Sequence, residues 1–388
     1  MFVPFREVSL KLQIEKLVQG GDGLARLQDG RVCFVKGALP GETVRVSITE
    51  NRKDFCRAEL VEVLEKSLQR ITPNCPLYGV CGGCSMQHIS FEAQLEYLKN
   101  SVQESFTRIG KTTLKDFPIH HTEAWHYRNR ARFFKHSESG NFAFKAKASN
   151  GLVPIESCPI LSTGLQEFIQ DNTHKKIKAK ELRVFDNACG KVSYYYKGMS
   201  SKEQEKHSNN LVYLHGKTIS MDASVFFQSN LSILELFIDR IRHFAASGDY
   251  LIDLYSGVGF FSSFLEDSFS KVITVERDPR CLRHAKYNLG PKAISVTDNA
   301  EEWLLKNAPI ENSFLIVDPP RGGLSPALIQ SITKSKLKKM LYVSCNPVSL
   351  ARDSLLLQQS GLHIHSAESF AFYPQTAHLE MFLYLERD

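Results

Sequence analysis

Tyr250-Leu251-Ile252-Asp253-Leu254-Tyr255-Ser256-Gly257-Val258-Gly259 reads as an apolar strand that runs directly into a glycine turn. Glycines at a first strand-to-helix turn let the backbone approach a ligand closely, and such a turn predicts a helix behind it. Outward from this stretch the same pattern repeats. Apolar runs at 272–275, 293–296, 314–317 and 340–343 are separated by helical stretches, with later runs near 362–365 and 379–385. Continuous apolar strands that alternate with helices specify a parallel sheet covered on both faces, with ligands held at the carboxyl ends of its strands. The pattern begins at about Met221, so the C-terminal part is expected to be a Rossmann-like, doubly wound α/β domain.

A chain of 388 residues exceeds one ordinary core and predicts two or three domains. The first segment alternates apolar and polar residues at Leu10, Leu12, Ile14, at Val32, Phe34 and at Val44, Val46, Ile48, broken by glycine and proline turns. That is the signature of a small OB-like β-barrel, a frequent nucleic-acid reader. Ser90 is placed to cap a helix whose apolar positions Phe91, Leu95, Leu98, Val102, Phe106 and Ile109 share a face. Residues 120–150 carry six Lys/Arg against two Glu, interleaved with aromatics, and alternation would send Arg128, Arg130 and Arg132 to one face of a strand. Residues 199–210 read as a polar loop. A net charge of +6 is a mild bias toward polyanions. Neither a signal peptide nor an apolar run long enough for a membrane span is visible, which places the protein in the cytoplasm with no membrane partner.

The chemistry is carried by four further stretches. Glu276 closes the second strand, where an acid binds the two hydroxyls of a ribose. Ser262 stands where a dinucleotide fold would have its third glycine, which disfavours a nicotinamide cofactor. Asp318-Pro319-Pro320-Arg321 after the fourth strand, together with the glycine turn, points to an S-adenosylmethionine-dependent methyltransferase. Cys345, in Ser344-Cys345-Asn346-Pro347, then suggests how the methyl group is transferred. Carbon 5 of uracil is a poor nucleophile, and a thiolate that adds at C6 makes it an enolate. A thiol of pKa about 8.5 is only a few per cent ionised at neutral pH, but that fraction is strongly nucleophilic. After transfer the C5 proton must leave, and Glu380 is the expected base, with His378 second. Cytosine C5 enzymes typically carry a cysteine at the turn after the fourth strand; residues 318–323 have none, so uracil is preferred.

Nine cysteines, unevenly clustered, argue for reduced thiols with metal or catalytic roles. Cys75, Cys81 and Cys84 lie within ten residues, and Cys158 is the expected fourth ligand. Spacing alone leaves tetrahedral zinc and an iron–sulfur cluster both open.

Cys75-x5-Cys81-Gly-Gly-Cys84-x2-Gln-His, Phe226-Phe227-Gln228-Ser-Asn, residues 253–259, Asp318-Pro-Pro-Arg321, Ser344-Cys345-Asn346-Pro347 and His378-Leu379-Glu380 together resemble the RNA 5-methyluridine methyltransferase family, in particular its 23S rRNA members with a TRAM domain. The resemblance spans nearly the whole chain. It implies Cys345 as nucleophile and Glu380 as base, with cofactor contacts at Gln228, Tyr255, Glu276 and Asp318, and Asn299 besides. It implies a 4Fe-4S cluster on Cys75, Cys81, Cys84 and Cys158, structural or substrate-positioning because methyl transfer requires no electron. The glycine turn departs from the frequent Phe-Cys-Gly-x-Gly-Asn form, so the contact of that Asn is not carried over. The implied organisation is a TRAM barrel at 1–65, a central α+β cluster and RNA-binding domain at 66–90 and 115–225, and the methyltransferase domain at 91–114 and 226–388. The expected partner is RNA, with 23S rRNA preferred, and no obligate protein partner is implied. The alternatives are uridine methylation in the tRNA T-loop and a noncatalytic RNA-binding iron–sulfur protein on the same fold.

Overall fold

The computed structural model describes residues 9–245, 247–307 and 312–387. Met1 and Asp388, the outer ends of the expected barrel and methyltransferase domain, lie outside the described residues. The chain forms two compact units. The first holds the described residues through Ser101 with Lys145–Asn150 and Pro374–His378, and the second holds the rest.

The first unit is built on β1 (Ser9–Gln13), β2 (Lys16–Leu17), β3 (Gly23–Arg26), β4 (Val32–Lys36), β5 (Thr43–Asn51) and β6 (Phe55–Glu65). They form one sheet in the order β1-β5-β6-β4-β3-β2, antiparallel except for β4 and β6. Alternation places Leu12, Val44 and Val46 in its core as expected. In β4 the phase is the other one: Cys33 and Val35 are buried, and Val32 and Phe34 face away. The register explains this, because Cys33 and Val35 pair with the buried Cys56 and Ala58, whereas Phe34 pairs with Arg57. The Arg57 guanidinium stands 5.4 Å over the Phe34 ring, a cation–π contact. Burial pushes the Cys33 thiol up to about 12, so Cys33 and Cys56 serve packing and not the reactive roles expected of the cysteines. Helix α1 (Phe91–Arg108) begins as expected, with Ser90 Oγ accepting from the Ala93 amide at 3.4 Å. The boundary between the units falls inside this helix, after Ser101.

The second unit contains β7 (Ile119–His120) and then a five-stranded sheet made by β8 (Arg130–Lys135), β9 (Phe142–Lys145), β10 (Leu152–Pro154), β11 (Glu181–Asp186) and β12 (Val192–Tyr195). Helices α2 (Thr163–Gln170) and α3 (Asn172–Lys175) precede β11. Where a loop was expected, Ser201–His207 forms helix α4, started by a capping box between Ser200 and Glu203. The S-x-x-E spacing carries that signal, and the two side chains satisfy otherwise orphaned amides. A hairpin of β13 (Asn209–Leu214) and β14 (Lys217–Asp222) follows, and then α5 (Leu234–Phe244).

The large sheet has the parallel strands β15 (Gly248–Leu254), β16 (Phe269–Glu276), β17 (Ala293–Thr297), β18 (Ser313–Val317) and β19 (Lys339–Ser344). Its connecting helices are α6 (Phe260–Leu265), α7 (Pro279–Asn288), α8 (Ala300–Lys306), α9 (Pro326–Lys334) and α10 (Pro347–Gln359). The last strands are β20 (Leu362–Phe370) and β21 (Glu380–Arg387), and the sheet order is β17-β16-β15-β18-β19-β21-β20-β7. Strand β21 runs antiparallel between β19 and β20, so its first residue lies at the carboxyl end of β19. Behind the sheet, Phe237, Phe370, Phe372 and Phe382 pack as one aromatic cluster. Among the described residues, no helix is long and apolar enough to cross a membrane.

Candidate active site

The strand ends of the large sheet open onto a cavity of about 1190 Å³. Single small-molecule sites run to roughly 1,000 Å³, so this volume has room for a cofactor and part of a second ligand. Gln228, Tyr255, Glu276, Asp318, Cys345 and Glu380 all line it. Six residues expected from separate motifs are thus brought to one place. Asn299 also lines the cavity, but its side chain caps α8 by accepting from the Glu301 amide at 2.8 Å. His378 does not line it.

The cofactor half is shaped by the turn after β15. Gly257 and Gly259 have φ of 54° and 76°, which glycine adopts without a Cβ penalty. At Gly259 a Cβ would also meet Leu289 Cδ1 at 3.2 Å and Ala285 Cβ at 3.3 Å, so α7 packs there only against glycine. Tyr255 has φ of 62°, and its hydroxyl donates to Glu301 Oε1 at 2.8 Å. A left-handed non-glycine residue costs about 1 kcal/mol, which the surrounding turn must offset. Glu276 is held by backbone donors, with Oε2 accepting from the Gly257 amide at 3.1 Å and Oε1 from the Asp278 amide at 2.8 Å. Beneath the turn, Ser262 Oγ donates to Asp253 Oδ2 at 2.7 Å. That hydroxyl occupies the position whose lack of glycine set the chain apart from dinucleotide folds.

One buried polar atom of the cavity lining, Gln228 Oε1, has no partner within the protein. A buried unsatisfied acceptor costs about 1–3 kcal/mol, so a ligand that donates to Gln228 there completes its bonding. With Glu276 for a ribose diol and Gln228 for a polar substituent, the site fits S-adenosylmethionine.

The reacting half follows from sheet register. Strands β19 and β21 pair from Lys339 with Glu386 to Ser344 with Met381. One step further, Cys345 leaves β19 as Glu380 enters β21, so the antiparallel pairing itself sets thiol and carboxyl side by side. Asn346 caps α10 by accepting from the Val348 amide at 3.1 Å, and it donates through Nδ2 to the Arg321 carbonyl at 2.9 Å. The cysteine is therefore fixed between two anchored residues. Burial, reinforced by the Glu380 charge, pushes the Cys345 thiol up to about 11, and the Arg321 guanidinium pulls the other way. Burial, reinforced by Asp318, raises Glu380 well above the usual carboxylate range, while the Tyr373 hydrogen bond and Arg321 oppose it. Asp318 is itself pushed up to about 7 by burial and by Asp253. A buried group of acids with raised affinities for protons is what proton-transfer chemistry near neutral pH requires.

Two carboxylates hold the surrounding loops. Asp353 Oδ2 accepts from the Tyr342 hydroxyl at 2.7 Å and from the Leu324 amide at 2.8 Å, anchoring residues 318–324 beneath Arg321. Gly323, with φ of 78°, leaves no room for a side chain, because a Cβ would lie 2.4 Å from Asp353 Oδ2. Gly323→Ala is expected to lower stability by about 1–3 kcal/mol and to reduce activity beyond the loss of folded protein. Thermal unfolding and kcat measured on the same sample check this. Asp222 holds the other loop, accepting from the Ser224 amide at 2.7 Å and from Arg283 and His284 at 3.0 Å each. This loop presents Phe226, 62% exposed and lining the cavity, with Arg130 5.7 Å over its ring. Its neighbour Phe227 is buried in the core, edge-on to Phe185 and Phe260, because adjacent residues of an extended segment face opposite sides.

Arg128, Arg130 and Arg132 share a face, since Tyr127, Asn129, Ala131 and Phe133 between them are buried. Arg132 pairs with Glu181 at 2.5 Å, and Arg128 Nε donates to the Arg130 carbonyl at 2.9 Å. Sequence reasoning missed Tyr373 and Asp353. Neither belongs to a motif, and only the fold brings them to the site.

Cys75, Cys81 and Cys84 are half-buried in the first unit, on a loop where the Cys75 amide donates to Gln87 Oε1 at 3.0 Å and the Tyr78 hydroxyl to the Ser85 carbonyl at 2.7 Å. Cys158 is half-buried in the second unit, its amide bonded to Gln166 Oε1 at 3.0 Å. Among the described residues, no three His, Cys, Asp or Glu side chains gather into a group able to hold a metal ion.

Comparison with known proteins decides the family. Residues 10–61 match the model of the TRAM domain, and residues 304–388 match that of the tRNA (Uracil-5-)-methyltransferase family. The chain is 31% identical to a 23S rRNA (uracil(1939)-C(5))-methyltransferase RlmD of Shewanella frigidimarina, over 97% of this chain and 95% of the relative. The chain belongs to the TRAM-bearing RNA 5-methyluridine methyltransferase family. A second family member, the RlmD of Shewanella amazonensis, is 32% identical over 96% of this chain and 94% of its own. The fold also matches the crystal structure of the Pyrococcus abyssi tRNA (uracil-54, C5)-methyltransferase in complex with S-adenosyl-L-homocysteine. That likeness has a TM-score of 0.73 at 20% identity, covering 97% of this chain and 99% of the other. As a member of this family the chain is an RNA uracil-C5 methyltransferase, and its first unit carries the TRAM domain.

Proposed function

We propose that this enzyme methylates C5 of a uridine in 23S rRNA through covalent addition of Cys345 to C6 of the base. The observation that carries the reading is the convergence of Cys345 and Glu380 on the cavity that also holds Gln228 and Glu276. S-adenosylmethionine, bound by Gln228, Tyr255, Glu276 and Asp318, supplies an electrophilic methyl group. Arg321 favours the thiolate of Cys345, which adds to C6 and leaves the C5–C6 electron pair on C5 and O4 as an enolate. The C5 electron pair then takes the methyl group, and the sulfonium S–CH3 bond breaks with its electron pair staying on sulfur as a neutral thioether. Glu380 removes the C5 proton, the C–H electron pair re-forms the C5–C6 double bond, and Cys345 leaves C6.

The target base must leave its stack to reach Cys345, and exposed Phe226 at the cavity supplies an aromatic face beside it. The arginine face at 128–132 and the TRAM domain add sequence-independent affinity for the backbone. A cytoplasmic location is part of this reading. Ribosomal RNA is preferred because three matched relatives at 30–32% identity are named as 23S rRNA enzymes. Mass-spectrometric mapping of 5-methyluridine in rRNA and tRNA from cells lacking the protein tests the substrate. Loss at one 23S position is expected; loss in tRNA with rRNA unchanged refutes the choice.

The reading includes a 4Fe-4S cluster held by Cys75, Cys81, Cys84 and Cys158. Thiolates are the donors that such a cluster takes, and no step of methyl transfer passes through it. Cys158→Ser is expected to lower the iron content of purified protein, and unchanged iron removes Cys158 from the ligand set.

A further inference from the structure

The carboxylate of Glu380 is only 7% exposed and is crowded by groups that disfavour its charge. Cys345 faces it from the end of β19, Asp318 from the end of β18 and Arg321 from the loop that follows, and Tyr373 faces it from the segment leading into β21. Of these, Arg321 and Tyr373 favour an ionised carboxylate, and only Tyr373 contacts it through a hydrogen bond, its hydroxyl 3.3 Å from Oε1. The ring of Tyr373 packs on the aromatic core beside Phe372, and the residue also lines the cavity. Ser229 hydrogen-bonds the same hydroxyl, and Arg128 lies close enough to act on it. Burial raises the phenol above its ordinary range, so the hydroxyl stays protonated at every working pH and acts on Glu380 only as a donor.

We propose that Tyr373 is the positioning residue of the C5-proton base: its hydroxyl fixes Glu380 Oε1 at the cavity wall and keeps the carboxylate ionised until the proton is taken. The inference rests on the assignment of Glu380 as base. In the elimination step the C5 proton passes to the Glu380 carboxylate, the C–H pair becomes the C5–C6 π bond, and the C6–S pair returns to Cys345. Tyr373 exchanges no atom in this step. It stabilises the charge that Glu380 carries beforehand, and without it the carboxylate binds a proton at higher pH.

The test is a pH profile of the single-turnover release of methylated RNA from the covalent adduct, with the full-length enzyme and a transcribed rRNA fragment. Tyr373→Phe is expected to move the acid limb up by about one pH unit, since an Arg-independent hydrogen bond to the charged form is lost. Below that limb the SDS-stable enzyme–RNA adduct should accumulate several-fold over wild type. Replacing Tyr373 by 3-fluorotyrosine, a stronger donor of nearly the same shape, should move the limb down, and this arm holds even if the Phe variant folds poorly. A wild-type midpoint in both variants overturns the proposal, whatever the adduct does. Glu380→Gln is run alongside. If it fails to trap the methylated adduct, the base assignment falls; if it traps the adduct while both Tyr373 variants behave as wild type, only the role of Tyr373 falls.

Discussion

Cys345→Ala is expected to reduce methylation at least about 10⁴-fold while leaving S-adenosylmethionine binding intact, because the thiol initiates the reaction and touches none of the groups that hold the cofactor turn. No other cysteine is placed to substitute for it, since among the described cysteines that line the cavity only Cys281 remains, and burial pushes that thiol up to about 12. The thiol also has a pH signature. With its proton affinity raised to about 11, the wild-type cysteine should be alkylated by iodoacetamide at a rate that climbs about tenfold per pH unit between pH 7 and 10. A plateau near pH 8 would contradict the buried, acid-crowded environment. Methyl transfer measured by tritium incorporation and cofactor affinity measured by calorimetry separate loss of chemistry from loss of binding.

Glu380→Gln is expected to cut turnover about 10³-fold, within the range for removal of a general base, and to leave methyl transfer itself possible. The base acts only after the methyl group has arrived, so the variant should stall as a covalent, methylated protein–RNA complex visible on denaturing gels. The same substitution has an opposite effect on the thiol. The Glu380 charge raises the Cys345 pKa, so its removal lowers that pKa, and alkylation at pH 8 should become faster than in wild type while catalysis collapses. A merely structural role for Glu380 would slow both.

The strands of the large sheet were legible because each is a short apolar run bounded by polar residues. Runs expected at 314–317 and 340–343 appear as Ser313–Val317 and Lys339–Ser344. The direction of β21 was not legible, because a buried antiparallel strand inside a parallel sheet has the same apolar composition as its neighbours. Yet that direction is what sets Glu380 beside Cys345. The phase of β4 was hidden for a related reason: Cys33 and Phe34 are both apolar, and only pairing with β6 decides which faces the core. The motif residues of the site were readable as residue types at fixed spacing. Tyr373 and Asp353 were not, since a tyrosine after an apolar run and an aspartate within a helix give no signal until register places them. Helix α4 was announced by Ser200 and Glu203, and its polar composition outweighed that signal in the reading.

The central claim is the transient bond between Cys345 and C6 of the target uracil. A fluorine at C5 leaves no proton for Glu380 to remove, so an rRNA fragment carrying 5-fluorouridine should be methylated once and then remain attached to the enzyme. Tandem mass spectrometry of the digested complex is expected to find the modified nucleotide on the peptide containing Cys345, one methyl group heavier than fluorouridine. Methylation of the unsubstituted fragment by the same enzyme preparation, with no attachment at Cys345 on the fluorinated one, would contradict the account.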